Sequence, residues 1–187
     1  MFAISNLLEA STIPKYSFIM ALKTRLIHPD WLKPEQLDPW MSMVALMTVL
    51  PAHLDSQLIR DSNLTHFDYM VMSMLAEAND RTLRISELAA RTNGTLSRLS
   101  HVIDRLEKRQ LINRVPCPED SRAKNAVLTR LGLETWLASA PNHLAEVRRV
   151  VIEALTAEQL TQMQHINEAL LAKLDPENRV QMRKTRP

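Results

Sequence analysis

Residues 86–108 read SELAARTNGTLSRLSHVIDRLEK, a string that predicts two short helices joined by a tight turn. Ser86 is well placed to cap the first helix, because its hydroxyl can accept a backbone N–H of the first turn. That helix ends at Asn93-Gly94, a turn dipeptide whose glycine readily adopts a positive φ. Thr95 then opens the second helix. The pattern is that of a helix-turn-helix.

The second of these helices has two chemically distinct faces. At 100° per residue, one arc contains the apolar residues Leu96, Leu99, Val102, Ile103 and Leu106. The opposite arc contains the polar residues Ser97, Arg98, His101, Arg105 and Lys108. A helix-turn-helix needs this division, because its second helix buries one face in the domain and presents the other to the major groove of DNA.

Short extended segments flank the two helices. Residues 82–84 precede them, and the segments 111–115 and 125–129 follow, both rich in β-branched or apolar residues. The polar residues 116–124 join the last two, which predicts a hairpin with a long, charged tip. Helix, turn, helix and hairpin is the order of a winged helix-turn-helix. Arg122 in the tip is placed to enter the minor groove, where it would favour narrow A·T-rich sequence.

Helical spacing of apolar residues predicts two helices before this region. The first runs from Leu37 to about Arg60, and Pro51 must kink it or split it. Thr65 can cap the second helix, which ends at Asn79-Asp80. Its apolar face consists of Phe67, Met70, Val71, Met74 and Leu75. Such a methionine-rich stripe is expected in the core.

Two further helices are predicted after the hairpin. Thr129 starts a long helical region that is bent near Pro141. Its inward side chains are expected to be Leu133, Leu137, Leu144, Val147 and Val151. Residues 156–159 form a capping box that opens the last helix, which continues through Leu174. The fold class is therefore mostly α with a small β-hairpin wing.

Composition limits the classes of protein to consider. The chain has 187 residues, of which 45% are apolar and 4% aromatic, and it has only two glycines, which favours one helical domain. Its one cysteine, Cys117, excludes an internal disulfide and suits a reducing compartment, so we expect a cytoplasmic protein. No apolar run approaches the roughly 20 residues that span a bilayer, and no membrane partner is expected.

Basic charge is concentrated in the middle of the chain. Between Arg81 and Arg130 there are eleven Lys or Arg and five Asp or Glu, a net charge of +6, whereas the remaining residues carry −4. Such a block predicts a local surface for a polyanion. On charge alone, a solvated charged face explains it equally well.

The sequence does not favour an enzyme. Catalysis would need a nucleophile with its base, a glycine loop for phosphate or clustered metal ligands, and two glycines with isolated histidines supply none of these. We therefore expect no metal and no cofactor, and zinc sensing is a minor alternative. Cys117, between two prolines, is interpreted as an ordinary thiol.

Several linked motifs run through the chain in a fixed order. They are Arg84-Ile85-Ser86-Glu87-Leu88-Ala89, Thr95-Leu96-Ser97-Arg98-Leu99-Ser100, Ile103-Asp104-Arg105-Leu106-Glu107, Leu111-Ile112-Asn113-Arg114, Asp120-Ser121-Arg122-Ala123 and Leu128-Thr129-Arg130-Leu131-Gly132. Together they resemble the MarR family of transcription regulators, and the resemblance covers roughly residues 35–174. Several motifs in one order are more specific than a single helix-turn-helix match.

The resemblance implies a homodimer that binds double-stranded DNA at a palindromic operator, as a repressor. The domains it implies are a partly helical extension (1–34), a dimerisation helix (35–64), a winged helix-turn-helix (65–130), C-terminal dimerisation helices (131–174) and a basic tail expected to be disordered (175–187). The alternative is a winged-helix module that contacts proteins and has no specific DNA binding. Binding to random duplex DNA that weakens steeply with salt distinguishes the two.

The resemblance also assigns residues to the DNA surface. They are Arg84, Thr95, Ser97, Arg98, Ser100, His101, Arg105, Arg114, Asp120, Arg122 and Lys124. Arg122 is the wing arginine by this likeness, and Asp120 orients it or ties the wing to the domain. His101 contacts a base or phosphate, unless it is merely a solvated surface histidine. Most relatives have glycine where Gln110 stands, and a positive φ there would cost glutamine more.

Aromatic residues suggest an effector site. Trp40, Tyr69 and Trp136 are candidates to line a cavity between the dimerisation helices and the winged domain, where relatives bind aromatic acids and other small phenolics. Core or interface anchors are the commoner role of such side chains. The sequence alone identifies neither the effector nor the operator.

Overall fold

The structure is a computed structural model that describes residues 31–180. The chain divides into two compact units, one up to Leu46 and one from Met47 onward, and this boundary falls inside the first helix. The N-terminal extension predicted for residues 1–34 and the tail beyond Val180 lie almost wholly outside the described residues. The predicted domain boundaries remain predictions.

Six α-helices and three β-strands form the described part of the chain, so the prediction of a mostly α protein with a small β wing is confirmed. They are α1 (Pro34–Ser62), α2 (His66–Glu77), β1 (Thr82–Arg84), α3 (Ile85–Arg91), α4 (Leu96–Lys108), β2 (Ile112–Cys117), β3 (Asp120–Leu128), α5 (Arg130–Val147) and α6 (Ala157–Leu174). A π-helical segment, Arg148–Ile152, follows α5. No helix within residues 31–180 is long and apolar enough to cross a membrane.

The first helix is longer than the sequence predicted. It begins at Pro34, before the predicted start at Leu37, and it runs through Pro51 without splitting. Proline lacks the N–H that would bond to the preceding turn, so this 29-residue helix has one backbone hydrogen bond fewer at Pro51. Leu54 and Leu58 are its buried leucines.

Threonine side chains mark four helix starts, as predicted. Thr65, Thr95, Thr129 and Thr156 each accept a hydrogen bond from the backbone N–H three residues later. The predicted cap at Ser86 is wrong, because α3 begins at Ile85, which leaves Ser86 inside the helix and Arg84 at the cap position. Arg84 ends β1 paired with Asn125 of β3, and the chain passes directly from strand to helix with no residue left for a side-chain cap.

The turn between α3 and α4 uses a different residue from the one predicted. Asn93 adopts the left-handed conformation, with φ of 48°, and Gly94 does not have a positive φ. Gly94 is needed for space instead, because a Cβ there would lie 3.1 Å from the Phe67 ring. At the other end of α4, Gln110 has a φ of 59°, which confirms the expected strain at that position.

The three strands form one antiparallel sheet in the order β1-β3-β2. The predicted long tip over residues 116–124 is wrong, because β2 continues to Cys117 and β3 begins at Asp120. Polar residues suggested a loop, but a two-stranded ribbon that projects into water can carry polar side chains within its strands. Arg122 therefore lies on a strand.

The core of the winged domain lies between α2, α3, α4 and the sheet. Leu99, Val102, Ile103 and Leu106 are buried there, as the periodicity of α4 predicted. Leu96 is not, since it is 58% exposed. It is the first residue of α4, and its side chain lies beyond the edge of the core.

The long C-terminal helices show the largest departure from the predicted burial. In α5, Leu137 and Leu144 were expected inward but are 54% and 57% exposed, and the buried residues are Gly132, Ser139 and His143. In α6 no residue is buried. The periodicity identified an apolar face correctly, but within a single chain nothing covers that face over the described residues.

Candidate nucleic-acid interface

Helix α4 presents a polar face to solvent. Thr95 caps it by accepting the backbone N–H of Arg98 at 3.2 Å, which fixes the start of the helix. The exposed side chains of its first two turns include Ser97, Arg98, Ser100 and His101. Because the opposite face is anchored in the core, these side chains have a defined direction and can meet a surface outside the domain.

Arg98 has a second support from another helix. Its guanidinium carbon lies 4.1 Å from the centroid of the Phe67 ring, which belongs to α2. A cation above an aromatic face is attracted by the ring quadrupole. This contact restricts Arg98 while leaving the residue exposed, so its charge is held at the start of α4.

Arg105 pairs with residues of its own domain. Its guanidinium forms an ion pair with Asp68, which is 1% exposed, and it reaches the Thr65 hydroxyl at 3.5 Å. Asp68 also accepts the backbone N–H of Thr65 and so completes the capping box of α2. The sequence placed Arg105 on the DNA surface, whereas the structure shows it joining α4 to α2.

Arg114 connects β2 to α4. It pairs with Asp104 and, at 3.1 Å, with Glu107, and it donates to the carbonyl of Ser100 at 3.0 Å. The hydrogen bond from Arg114 is the main reason that the pKa of Asp104 lies below its usual value. With these partners, Arg114 links the wing strand β2 to α4.

Asp120 lies at the tip of the β2–β3 hairpin, directly after the turn, and its two oxygens have different partners. One accepts the backbone N–H of Arg122 at 3.0 Å, and the other lies 3.7 Å from a guanidinium nitrogen of Arg84. Asp120 therefore holds the backbone at Arg122 and also ties the wing to β1. The side chains of Arg122 and Lys124 are exposed on β3.

Cys117 has a more specific environment than an ordinary thiol. It is 6% exposed, and Arg84 donates to its sulfur at 3.5 Å, which lowers the pKa of the thiol. Arg84, predicted to contact DNA, thus bridges Cys117 and Asp120. No local pattern in the sequence indicates this contact, because Arg84 and Cys117 are 33 positions apart.

The aromatic residues proposed for an effector site are partly brought together. Tyr69 and Trp136 have ring centroids 6.3 Å apart, and the Trp136 indole donates to Ser73 at 2.8 Å. The ring centroids of His143 and Tyr69 are 4.5 Å apart. Trp40 belongs to the first compact unit, so a pocket made by all three predicted residues stays a prediction. Residues 31–180 contain no group of three side chains suited to a metal ion.

Comparison with known proteins decides the family. A MarR family model matches residues 64–124, from just before α2 to the wing. The structure is similar to Sco3205 of Streptomyces coelicolor, a MarR family transcriptional regulator solved in complex with DNA, with a TM-score of 0.75. The two are 40% identical, over 78% of this chain and 95% of Sco3205. The chain belongs to the MarR family.

Two further relatives agree with this assignment. AbsC, a MarR family regulator of S. coelicolor, is 35% identical with a TM-score of 0.72, over 77% of this chain and 97% of AbsC. The regulator PrsX of Escherichia coli is 28% identical over 123 residues, which are 64% of this chain and 72% of PrsX. This protein is a MarR-family transcriptional regulator.

Within this MarR-family chain, the eleven residues assigned to DNA fall into two sets. Those with exposed side chains are Thr95, Ser97, Arg98, Ser100, His101, Arg122 and Lys124 on α4 and β3, together with Arg105, which is also paired. The other three, Arg84, Arg114 and Asp120, are partly buried and hold the wing. Sequence reasoning missed the partners Phe67, Asp68 and Asp104, since the contacts cross between elements.

Proposed function

We propose that this protein is a sequence-specific regulator that binds double-stranded DNA through α4 and the wing. The observation that carries the proposal is the division of α4, with four buried apolar residues on one face and exposed Ser97, Arg98, Ser100 and His101 on the other. A helix with this division can enter a major groove while its domain stays folded. The similar protein Sco3205 was solved in complex with DNA, which supports DNA as the partner.

We further propose that the protein acts as a homodimer. Large apolar side chains of α5 and α6 are exposed, including Leu137, Leu144, Ile166, Leu171 and Leu174. Large apolar side chains exposed along two helices indicate a protein–protein interface, because monomers rarely expose large apolar patches. Two-fold symmetry would place two copies of α4 in successive major grooves about 10 base pairs apart, so the operator should be an imperfect palindrome.

Dimerisation is tested by light scattering at micromolar concentration. Ile166→Glu puts a charge on a residue that is 59% exposed in the single chain, and the dimer mass should fall to that of a monomer. Gln164→Glu is the matched control, because it adds the same charge at an exposed polar position of α6. If the protein without substitutions is itself a monomer, the proposal of a homodimer is wrong.

As a regulator of this type, the protein is proposed to repress its target and to leave the operator when an aromatic acid binds. The neighbouring rings of Tyr69 and Trp136, both half-buried, support this choice of ligand. Titration of the DNA complex with simple aromatic acids tests it. If the Tyr69→Ala variant left the DNA at the same ligand concentration as the unchanged protein, the ligand would bind elsewhere.

The DNA-binding proposal is tested by selecting duplex fragments with the purified protein and sequencing them. Ser97→Ala and His101→Ala should relax preference at particular base pairs, at a cost of about 1 to 3 kcal/mol each, since side chains in the first turns reach base edges. Lys108→Ala, at the far end of α4, should not change the selected sequence. Binding without sequence preference would favour a module for protein contacts.

A further inference from the structure

The first turn of α4 has one large apolar side chain that the core does not cover. Leu96 is the first residue of the helix and is 58% exposed. The following apolar residues of α4, Leu99, Val102 and Ile103, are at most 5% exposed. A single exposed leucine is ordinary on a protein surface, so any role of this one depends on where it lies.

Leu96 lies among the polar side chains that are proposed to meet DNA. Thr95, Ser97 and Arg98 are its neighbours in the first turn, and all three are exposed. The cap of Thr95 on the backbone N–H of Arg98 fixes this turn. The first residues of a recognition helix are those that reach base edges in the major groove. Leu96 therefore belongs to the same surface, where it offers an apolar contact and no hydrogen bond.

Helical geometry directs Leu96 toward the wing. Four residues of a helix turn by about 40° net, so Ser100 lies one turn further along the same side of α4. Arg114 of β2 donates to the Ser100 carbonyl at 3.0 Å and lies 3.4 Å from its hydroxyl. Arg98 points about 160° away from Leu96, toward α2. Ser97 lies between the two directions, so Leu96 is on the wing side of Ser97.

The major groove presents a partner for such a side chain. Each base pair displays hydrogen-bond donors and acceptors there, and thymine alone of the four bases adds an apolar group, its C5-methyl. Packing leucine against that methyl removes apolar surface of both groups from water. Against a base pair without the methyl, leucine would cover polar groups to which it cannot bond. An exposed leucine at this position is therefore suited to select thymine.

We propose that Leu96 is a specificity-determining residue that packs against the C5-methyl group of a thymine in the operator. The contacted base pair lies on the wing side of the one that Ser97 contacts. The proposal rests on the proposed DNA-binding function and deepens it. It adds an apolar contact to a surface whose other assigned residues act by hydrogen bonds or charge.

The methyl group itself is the probe. In the operator selected with the full chain, each thymine of one half-site and its counterpart in the other are replaced by uracil, which keeps the base pairing and lacks only the methyl. One such replacement should weaken binding about 10- to 20-fold, since burial of one methyl is equivalent to roughly four-fold in each half-site. Its position should lie between the base pair where Ser97→Ala relaxes preference and the flank where Arg122→Ala removes footprint protection.

Variants of Leu96 connect this loss to the side chain. Leu96→Ala should bind the unmodified operator about ten-fold more weakly, and uracil at the contacted position should then cost about two-fold or less, as a double-mutant cycle requires for a direct contact. Leu96→Met keeps an apolar side chain of similar volume and should keep most of the sensitivity to uracil. Because Leu96 is outside the core, urea denaturation should show the same stability for these variants as for the unchanged chain.

Leu131→Ala is the matched control. Leu131 is 48% exposed in the first turn of α5, outside the surface assigned to DNA, and its variant should lose as much affinity on replacement by uracil as the unchanged chain. An equal uracil effect in Leu96→Ala and the unchanged chain overturns the contact with the methyl. A coupled thymine on the other side of the Ser97 base pair overturns its placement. If the unchanged chain selected no preferred duplex, the proposed function would fail before any uracil was introduced.

Discussion

Arg98 and Arg105 lie about two turns apart on α4, yet their guanidinium groups have different partners. Arg98 lies against the Phe67 ring and remains exposed. Arg105 pairs with Asp68, a carboxylate that is almost wholly buried. A buried charge that loses its partner is costly, so the side chain of Arg105 serves the stability of the domain.

The first prediction concerns Arg105→Ala. It should lower the free energy of unfolding by about 1 to 3 kcal/mol, less than the loss of a fully buried pair because the guanidinium is half exposed. Urea denaturation measures this, with Lys108→Ala of the same helix as the control. Unchanged stability with a salt slope for DNA reduced by about one unit would assign Arg105 to DNA contact instead.

The wing arginine gives the second prediction. Arg122 is exposed on β3, and Arg122→Ala should weaken binding to every operator alike and reduce the salt slope by about one unit. Asp120→Ala should have a milder effect of the same sign, because it frees the backbone at Arg122 and the link to Arg84. Titration at several salt concentrations decides it. Tighter binding by Asp120→Ala would show that its negative charge matters more than its hydrogen bonds.

At the scale of single residues, the sequence predicted which way a side chain points better than it predicted which residue the side chain contacts. Periodicity placed Ser97 and His101 outward on α4, because one helix determines which way its own side chains point. Periodicity could not predict the ion pairs of Arg105 with Asp68 and of Arg114 with Asp104, since those contacts depend on how separate elements pack. An arginine on an outward arc can still bend back to a neighbouring helix.

At the scale of the element, the helix starts were predictable and the strand ends were not. A threonine cap is a local interaction, complete within four residues, as at Thr156 and Gln159. Strand length depends on pairing with another strand. The extension of β3 back to Asp120 rests on β2 and on a register shift between Pro116 and Cys117, which no local pattern encodes.

The contact between α5 and Leu111, the residue before β2, gives the third prediction. A Cβ on Gly132 would lie 2.1 Å from the Leu111 carbonyl oxygen, a backbone atom that cannot rotate away. Gly132→Ala should therefore lower the unfolding free energy by about 3 kcal/mol or more, outweighing the roughly 1 kcal/mol that alanine gains in a helix.

Gly94→Ala is the comparison for this variant. Its Cβ would lie 3.1 Å from the end of the Phe67 ring, a side chain that can shift by a few tenths of an ångström. Denaturation of both proteins should show the larger loss for Gly132→Ala. An equal or smaller loss there would mean that α5 can move away from the Leu111 backbone at little cost.

At the scale of the whole molecule, two histidines where α1, α2 and α5 meet make the stability of the fold depend on pH. His143 of α5 is 6% exposed and hydrogen-bonded to Gln57 of α1 at 3.0 Å. Its ring lies near His66 and Tyr69 of α2. Burial lowers the pKa of both histidines below 6.5, and the proximity of His66 lowers that of His143 further. Asp55 opposes the shift at His66.

The sign of the pH dependence follows from linkage. Above about pH 6.5 the histidines are neutral in both states and contribute nothing. As pH falls below 6.5, the unfolded chain takes up protons that the folded protein resists, so stability declines until the folded pKa values are passed. Glu146 affects stability in a lower range of pH. Arg149 and His53 hold its pKa at about 2, so the stability it adds is lost as pH falls from its ordinary 4.5 toward 2.

The last prediction is therefore a decline in unfolding free energy between pH 6.5 and 4.5 that His143→Gln makes shallower. Glutamine can still hydrogen-bond Gln57 but cannot take a proton, so the variant removes one group that the unfolded state titrates. Urea denaturation at closely spaced pH values measures the slope. His165→Gln, at an exposed position of α6, is the control and should leave the slope unchanged. A slope that is the same in His143→Gln and in the unchanged protein would show that folding does not lower the pKa of His143.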